Sequence, residues 1–431
     1  MQTKPIAPDE WSLIKKFAFR FFFVFFILYI FLTPNDIIPY SYILHRLYME
    51  PCNNFIAWVT INILHLAGPG TDHVIGTTDT TFGYLTILFI SLTAFMGSVI
   101  WMITERKTAN DKKRYDVLIV VLRYFLAITW IAYGSIKITR IQFPPIAPDI
   151  LLKTYGNSSP RELAWAFMGY SSGFNYFMGL TEYAIGLLLF FRRTSLLGSI
   201  LSFGALVNIM AFDYFFDVNV KLLATVLMLM TLFLLSRDIK RLINFLFFNK
   251  TTGDEESQSY RFKEQWKNKT LIILKYAFIL YLLFFDLRGE FARAKKRGIG
   301  NQKPPLYGIY EVKTFIRNKD TVKLLADTTR WNKLIISSFN NAGVMLMNDS
   351  LKHFEFSLDT VKKKIELYVV ADTANKYVFT YTRPKADMLI MQGNYKNDSL
   401  EIKLQQYDLN KFPLMNNHFR WIIDRRIKVK R

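Results

Sequence analysis

Residues 164–193 read AWAFMGYSSGFNYFMGLTEYAIGLLLFFRR, and 194–236 continue TSLLGSILSFGALVNIMAFDYFFDVNVKLLATVLMLMTLFLLS. Three apolar runs lie here, at about 174–191, 195–212 and 220–236. Each is close to the length that crosses a hydrocarbon core about 30 Å thick at about 1.5 Å per helical residue. The runs are not uniformly apolar. Glu182 interrupts the first, Asn208 the second, and Asp217 and Lys221 bracket the start of the third. A charge in hydrocarbon costs about 2.5 kcal/mol or more, so such side chains turn towards protein or water and mark candidate sites.

Four further runs flank this core, at about 14–32, 83–103, 117–137 and 271–287. The expected fold class is therefore an α-helical transmembrane bundle of about seven spans, followed by a C-terminal all-β domain. Composition agrees with a bilayer: 51% of the 431 residues are hydrophobic, and 39 are Phe. The formal charge of +21 does not point to nucleic acid. Lys and Arg gather in short connections, 104–116, 192–194 and 237–270, and thin out in 33–82, 138–173 and 213–219. That asymmetry orients the N-terminus towards the cytoplasm and, after seven crossings, the C-terminal domain outside. The run NNFIAWVTINILHLAG within 33–82 is too short to span and is expected at the interface or packed on the bundle. The prolines of PPIAPDI argue against regular helix in 138–173.

Beyond about residue 300 apolar and polar residues alternate, as in KIELYVV, KYVFTYT, DMLIMQGNY and SLEIKLQQY. Period two broken by Asn, Asp and Gly turns reads as antiparallel strands, with NYKND at 394–398 as a tight hairpin tip. About eight such runs make a small barrel or sandwich, loosely similar to the lipocalin-like group in strand number and order. Four regions follow: 1–114 with two spans and a long external loop, 115–245 with four helices, 246–299 as basic linker and last span, and 300–431 as an exported β domain.

The polar intruders share one depth. Lys137 ends the third span, Glu182 lies roughly 12 Å below the outer surface at about 1.5 Å per residue, and Asn208 is about one turn from the outer end of the fifth. Asp213, Asp217 and Lys221 frame the next outer turn, and Asp286 and Arg288 end the seventh span. Gly179 and Gly186 lie on the Glu182 face and Gly204 on the Asn208 face, where small residues let helices approach closely. Lys137 and Glu182 are expected to pair, with Asn208 as a hydrogen-bonding neighbour. Lys137, Glu182, Asn208, Asp217 and Lys221 are the candidate polar cluster, either a packing clamp or a pocket for a small ligand, a quinone head group or a proton.

Other chemistry is not signalled. The single cysteine, Cys52, excludes an internal disulfide and a cysteine metal cluster. No span carries a histidine, which excludes an intramembrane bis-histidine haem. His65, His73 and Asp72 are read as loop residues, Asp349, His353, Glu355 and Asp359 as strand-surface polarity, and His418 and Trp421 as packing or barrel-closing residues. No catalytic residue and no metal site is assigned.

Gly134-x-x-Lys137, Gly179-x-x-Glu182-x-x-x-Gly186, Arg192-Arg193 and Asp217-x-x-x-Lys221 resemble the DoxX-like bacterial membrane proteins over roughly 115–245. A longer form of that family, with extra N-terminal helices, a final helix and a C-terminal β domain, is similar to the whole chain. The resemblance implies a multi-pass protein of the bacterial cytoplasmic (inner) membrane. The family takes its name from a subunit associated with thiosulfate–quinone oxidoreduction, so the resemblance implies a redox or stress-response setting. Because this sequence shows no cofactor apparatus, it is read as a non-enzymatic binding or assembly protein of the envelope, with lipid and other envelope proteins as partners. The alternative is a membrane subunit of a quinone-linked redox system, and quinone is the one cofactor left open.

Overall fold

A computed structural model describes residues 11–33, 41–65, 79–105, 109–250, 263–297, 303–322, 328–338, 341–369, 372–416 and 421. Two compact units emerge, Met1–Pro144 with Pro160–Ile299, and Pro145–Ser159 with Gly300–Arg431. The helices in chain order are α1 (Leu13–Leu32), α2 (Ser41–Asn62), α3 (Thr81–Thr104), α4 (Ala109–Ile138), α5 (Pro148–Leu152), α6 (Pro160–Tyr170), α7 (Ser172–Phe190), α8 (Ser195–Phe215), α9 (Lys221–Ser236), α10 (Ile239–Phe248) and α11 (Gln265–Arg297).

Each apolar run of the sequence lies in a helix, and several helices start where the sequence offers a cap. Ser12, Thr80 and Ser171 accept from backbone N–H groups in the first turns of α1, α3 and α7, filling orphan donors at the helix start. Among the described residues four helices are long and apolar enough to cross a membrane: α3, α4, α8 and α11. A fifth is counted if α9 and α10, bent by 75° at their junction, form one span. This fits a membrane protein. The expected count of seven is not confirmed by length and composition: α1 carries Lys15, Lys16 and Arg20 near its start and α7 carries Asn175 and Glu182. The outward face of α3 is apolar, with Leu88, Leu92, Phe95, Ile100 and Ile103 all exposed, as a lipid-facing stripe requires and a water-facing one would not.

The connections hold more helix than the sequence suggests, and one expectation is corrected. The 33–82 connection holds a 22-residue helix, α2, with Pro51 inside it. It meets α3 through Phe55 and Phe89, ring centroids 5.8 Å apart. The prolines of 138–173 do not abolish helix there. Pro148 and Pro160 begin α5 and α6, the first-turn position where the missing N–H costs nothing.

Glycine sets the tightest joint in the helical unit. A Cβ on Gly179 would stand 2.7 Å from the Gly134 carbonyl oxygen, and one on Gly134 2.7 Å from the Gly179 carbonyl oxygen. Gly186 meets the Ala127 carbonyl oxygen in the same way, so α4 and α7 touch backbone to backbone. At the opposite end from Lys137, Arg20 joins three helices. It donates to the Trp101 and Glu105 carbonyl oxygens at the C-terminus of α3, each at 2.8 Å, and pairs with Asp111 of α4 at 2.8 Å. A cation there satisfies the last carbonyls of α3 and opposes its dipole.

The second unit contains β1 (Gly308–Arg317), β2 (Asp320–Thr321), β3 (Trp331–Ser338), β4 (Asn341–Leu346), β5 (Leu351–Asp359), β6 (Lys364–Val369), β7 (Asp372–Lys385), β8 (Met388–Tyr395) and β9 (Asp398–Tyr407). The strands run antiparallel in meander order, and β1 also pairs with β9. Setting aside the two-residue β2, eight strands close a barrel, which decides between barrel and sandwich. Tyr395 pairs with Asp398 across the expected hairpin tip, with Lys396 in the left-handed region at φ 56°. Tyr310, Phe315, Trp331, Phe356 and Phe379 belong to the buried cluster of this unit, a size of barrel that side chains can fill. The expected closing role of Trp421 is not seen, since it is 91% exposed and the β1–β9 ladder closes the barrel. His418 lies outside the described residues. Within this unit, Asp149 of α5 accepts from Ser337 of β3 at 2.7 Å.

Candidate functional site

The antiparallel α4–α7 contact brings Lys137 opposite Glu182, with Nζ 2.8 Å from Oε2. Both side chains are 7% exposed. The interlocked glycines explain why they meet: Gly134 is three residues before Lys137 and Gly179 three before Glu182, so one helix register sets both contacts. Burying this pair removes two charges from water, which is tolerable only because each has the other.

The pair lines a cavity of about 380 Å³ between α4, α6, α7, α8 and α9. Its wall is aromatic and aliphatic, including Trp130, Tyr133, Phe143, Trp165, Phe212 and Leu223. Trp165 is held edge-on by Phe143 at 5.2 Å, with the Arg161 guanidinium 4.9 Å from its ring centroid. Arg140 follows α4 in the left-handed region at φ 57°. It donates to Ser172 Oγ at 2.6 Å and to the Gly169 carbonyl oxygen, tying the α6–α7 junction down. This is the form of a small-molecule site: mostly apolar walls and a few polar groups that fix orientation.

Asn208 lines the same cavity, but among the described residues it makes no hydrogen bond to Lys137 or Glu182, contrary to expectation. Gly204 is also corrected. A Cβ there meets nothing within 4 Å, and α8 turns Gly198, Ser199, Ser202, Leu206 and Asp213 inward instead. Ser202 accepts from Trp130 Nε1 at 2.9 Å and lies 3.1 Å from Thr231 Oγ1, linking α4, α8 and α9.

The expected five-residue cluster is two groups. Asp217 and Lys221 do not line the cavity; they pair with each other at 2.8 Å at the start of α9. Asp79, ahead of α3, joins them. It accepts from the backbone N–H of Lys221 and Leu222 at 3.0 and 2.9 Å, capping α9 from a remote segment, and its Oδ2 lies 3.4 Å from Lys221 Nζ. Asp217 sits at φ 53°, a conformation that Asp tolerates better than most residues. The hydrogen bond from Lys221, reinforced by its charge, holds the Asp217 carboxyl below the usual carboxylate range.

Asp213 was placed in the outer turn by sequence. It lies inside α8, lines the cavity, is 4% exposed, and has one carboxylate oxygen, Oδ2, buried without a hydrogen-bond partner among the described residues. Asp286 of α11 reaches the same end of the helical unit, accepting from Ser135 of α4. Among the described residues no group of three or more His, Cys, Asp or Glu side chains is placed to hold a metal; His73 and Asp72 lie outside them. In the barrel, Asp359 accepts from the N–H of Val361 and Lys362 in a turn, while His353 is exposed on β5.

Fold and site together define a class: a bundle of apolar helices with a ligand-sized internal cavity, joined to a closed eight-stranded β-barrel. No family model matches the chain, and no solved structure matches it. The chain is 35% identical over 119 residues to the uncharacterized protein YwoB of Bacillus subtilis (strain 168), a match covering 28% of this chain and 75% of YwoB. The chain belongs to the same family as YwoB.

Proposed function

We propose that this chain is a multi-pass protein of the bacterial cytoplasmic membrane that binds a small amphiphilic molecule in the cavity closed by Lys137 and Glu182. The observation that carries the reading is the buried charge pair in an otherwise apolar cavity of about 380 Å³. Lys137 offers a donor to a carbonyl or phosphoryl oxygen, and Asp213 Oδ2 lacks a donor. The ligand head therefore carries both an acceptor and a hydroxyl or amine, and its apolar body lies against Trp130, Trp165 and Phe212. In this reading the protein is a non-enzymatic binding or assembly component of the envelope, of the DoxX-like type that its sequence resembles.

Seven crossings are part of the proposal. Residues 145–159 and 300–431 belong to one compact unit, so they lie on one side of any membrane the chain crosses. The number of crossings between them must then be even. Helices α8, α9 and α11 alone give an odd number, and adding α7 restores parity. α1 runs antiparallel to α3, because Arg20 near its start meets the last carbonyls of α3. If α3 crosses, its antiparallel neighbour of 20 residues crosses the other way. The basic ends of the helices then face the cytoplasm and the barrel lies outside.

A second reading is favoured by the aromatic walls: a membrane subunit of a quinone-linked redox system. A flat ring fits between aromatic faces, Lys137 meets a quinone oxygen, and Asp213 accepts from a quinol hydroxyl. Trp130 and Trp165 line the cavity, so indole fluorescence reports occupancy. Titration of the purified protein with a short-chain quinone is expected to give saturable quenching. Prior addition of a saturated alkyl alcohol, itself not a quencher, that weakens the quinone titration supports a general amphiphile site, and a quinone titration untouched by the alcohol supports the redox reading. If the quinone does not quench saturably, or if Ala205→Phe, which fills the cavity wall, leaves the titration unchanged, the proposal is wrong.

A further inference from the structure

Arg123 of α4 is 8% exposed, and its Nε has no hydrogen-bond partner among the described residues. Its position along the bundle is set by its neighbours. Tyr124 meets Phe190 at the end of α7, ring centroids 5.4 Å apart, and Phe278 of α11 at 6.5 Å. Arg123 is thus level with the turn joining α7 to α8, about 21 Å along α4 from Lys137 at 1.5 Å per residue. Three more cations lie towards the same end of the helical unit: Arg192 directly after Phe191, Arg237 directly after α9, and Lys275 directly before Tyr276 of α11. Arg192 and Arg237 act electrostatically on Arg123, and Arg123 acts on Lys275. Lys275 Nζ stands 4.9 Å from the Phe191 ring centroid, and Phe191 meets Tyr276 at 5.9 Å. Four elements therefore bring positive charge to one end of the helical unit: α4, the α7–α8 turn, the end of α9, and α11.

The same helical unit treats another buried arginine differently. Arg20 has the Asp111 carboxylate at 2.8 Å. Among the described residues, Arg123, Arg237 and Lys275 form no ion pair with a carboxylate. The Tyr124 hydroxyl offers Arg123 a hydrogen bond, and Asp238 follows Arg237 in sequence, yet neither neutralises a buried guanidinium. A buried charge without a counter-charge is expensive, and the expense falls when an anion arrives. Half-exposed Lys275 and Arg237 and exposed Arg192 leave the site open at its rim.

We propose that Arg123, Arg192, Arg237 and Lys275 bind the phosphodiester head group of an anionic phospholipid, at the end of the bundle opposite the cavity. Arginine offers a planar fork of donors matched to phosphate oxygens, and basic pockets between transmembrane helices at the cytoplasmic side suit anionic lipid heads. Tyr276 and Phe278 of α11 flank the path an acyl chain would follow along the bundle. The assignment is independent of what fills the cavity.

The test uses the full chain in detergent, with native mass spectrometry counting retained lipid after addition of phosphatidylglycerol or phosphatidylcholine. Retention of phosphatidylglycerol at least ten-fold over phosphatidylcholine is expected. It should fall at least five-fold in Arg192→Gln/Lys275→Gln, whose side chains are not needed to fill the core. Arg123→Lys, which keeps charge but loses the fork, should reduce it by a smaller factor. Equal retention of the two lipids, or an unchanged ratio in the double variant, would overturn the proposal. Displacement of phosphatidylglycerol by millimolar inorganic phosphate would assign the site to free phosphate and overturn the lipid assignment.

Discussion

Lys137 and Glu182 test the idea that a buried pair is tolerated only as a pair. Lys137→Ala leaves the Glu182 carboxylate without its cation, and the helical unit should lose about 3–5 kcal/mol. Replacing both by Met should cost much less, because two apolar side chains leave no charge behind. Melting of the purified protein in detergent, followed by tryptophan fluorescence, measures both. The meeting of these two residues is legible from sequence because the bilayer penalises stray charge and glycine spacing marks the faces in contact. The place of Asp213 is not, since α8 runs to Phe215 rather than ending near 212, so a residue that reads as a turn aspartate stays in the helix and faces inward. Asp79 is invisible for another reason: it caps a helix more than a hundred residues away, and no local pattern announces that. For Asp217 the sign is fixed by Lys221. Its folded carboxyl titrates below the ordinary aspartate value of about 3.9. Its contribution is therefore complete above that value and is lost as pH falls through the lower, folded one. Screening at this exposed site keeps the effect small. As pH falls from 6 to below the ordinary aspartate value, the difference in melting temperature between the wild type and Asp217→Asn should shrink.

At the scale of the element, the α4–α7 joint and the barrel make separate predictions. Gly179→Val drives side-chain atoms into the Gly134 carbonyl and should cost about 3 kcal/mol, at the upper end of overpacking effects. Gly204→Ala, with open space around it, should be neutral or gain up to about 1 kcal/mol from helix propensity. The same melting experiment separates them. In the barrel, the Tyr310 hydroxyl is buried without a partner among the described residues, and burial pushes its phenol up from the ordinary value. Tyr310→Phe should stabilise the barrel by about 1 kcal/mol, read from its near-ultraviolet circular dichroism transition. The benefit should grow as pH rises past about 10, where the unfolded tyrosine ionises before the folded one. The strands were legible because period two is a local signal; barrel rather than sandwich was not, because the β1–β9 ladder joins the two ends of the domain. The short helices α5 and α6 are not legible because proline reads as a breaker where it serves as a first-turn residue, and α2 extends beyond the short apolar run that marks it in the sequence.

At the scale of the whole molecule, the proposed seven crossings predict where labels react. In a Cys52→Ser background, cysteines at the exposed positions 155 and 361 (81% and 89% exposed) should be labelled from the same side of sealed vesicles, and a cysteine at 193 from the other. Labelling of 155 and 361 from opposite sides would remove α7 from the set of spans. The measurement closest to the central claim is native mass spectrometry of the protein as first isolated, before any ligand is added. The account predicts a bound amphiphile at close to one per chain in the wild type and its loss in Ala205→Phe, with Lys137 and Glu182 left intact. A wild-type protein free of any small molecule, or a bound molecule retained equally when the cavity is filled, would contradict it.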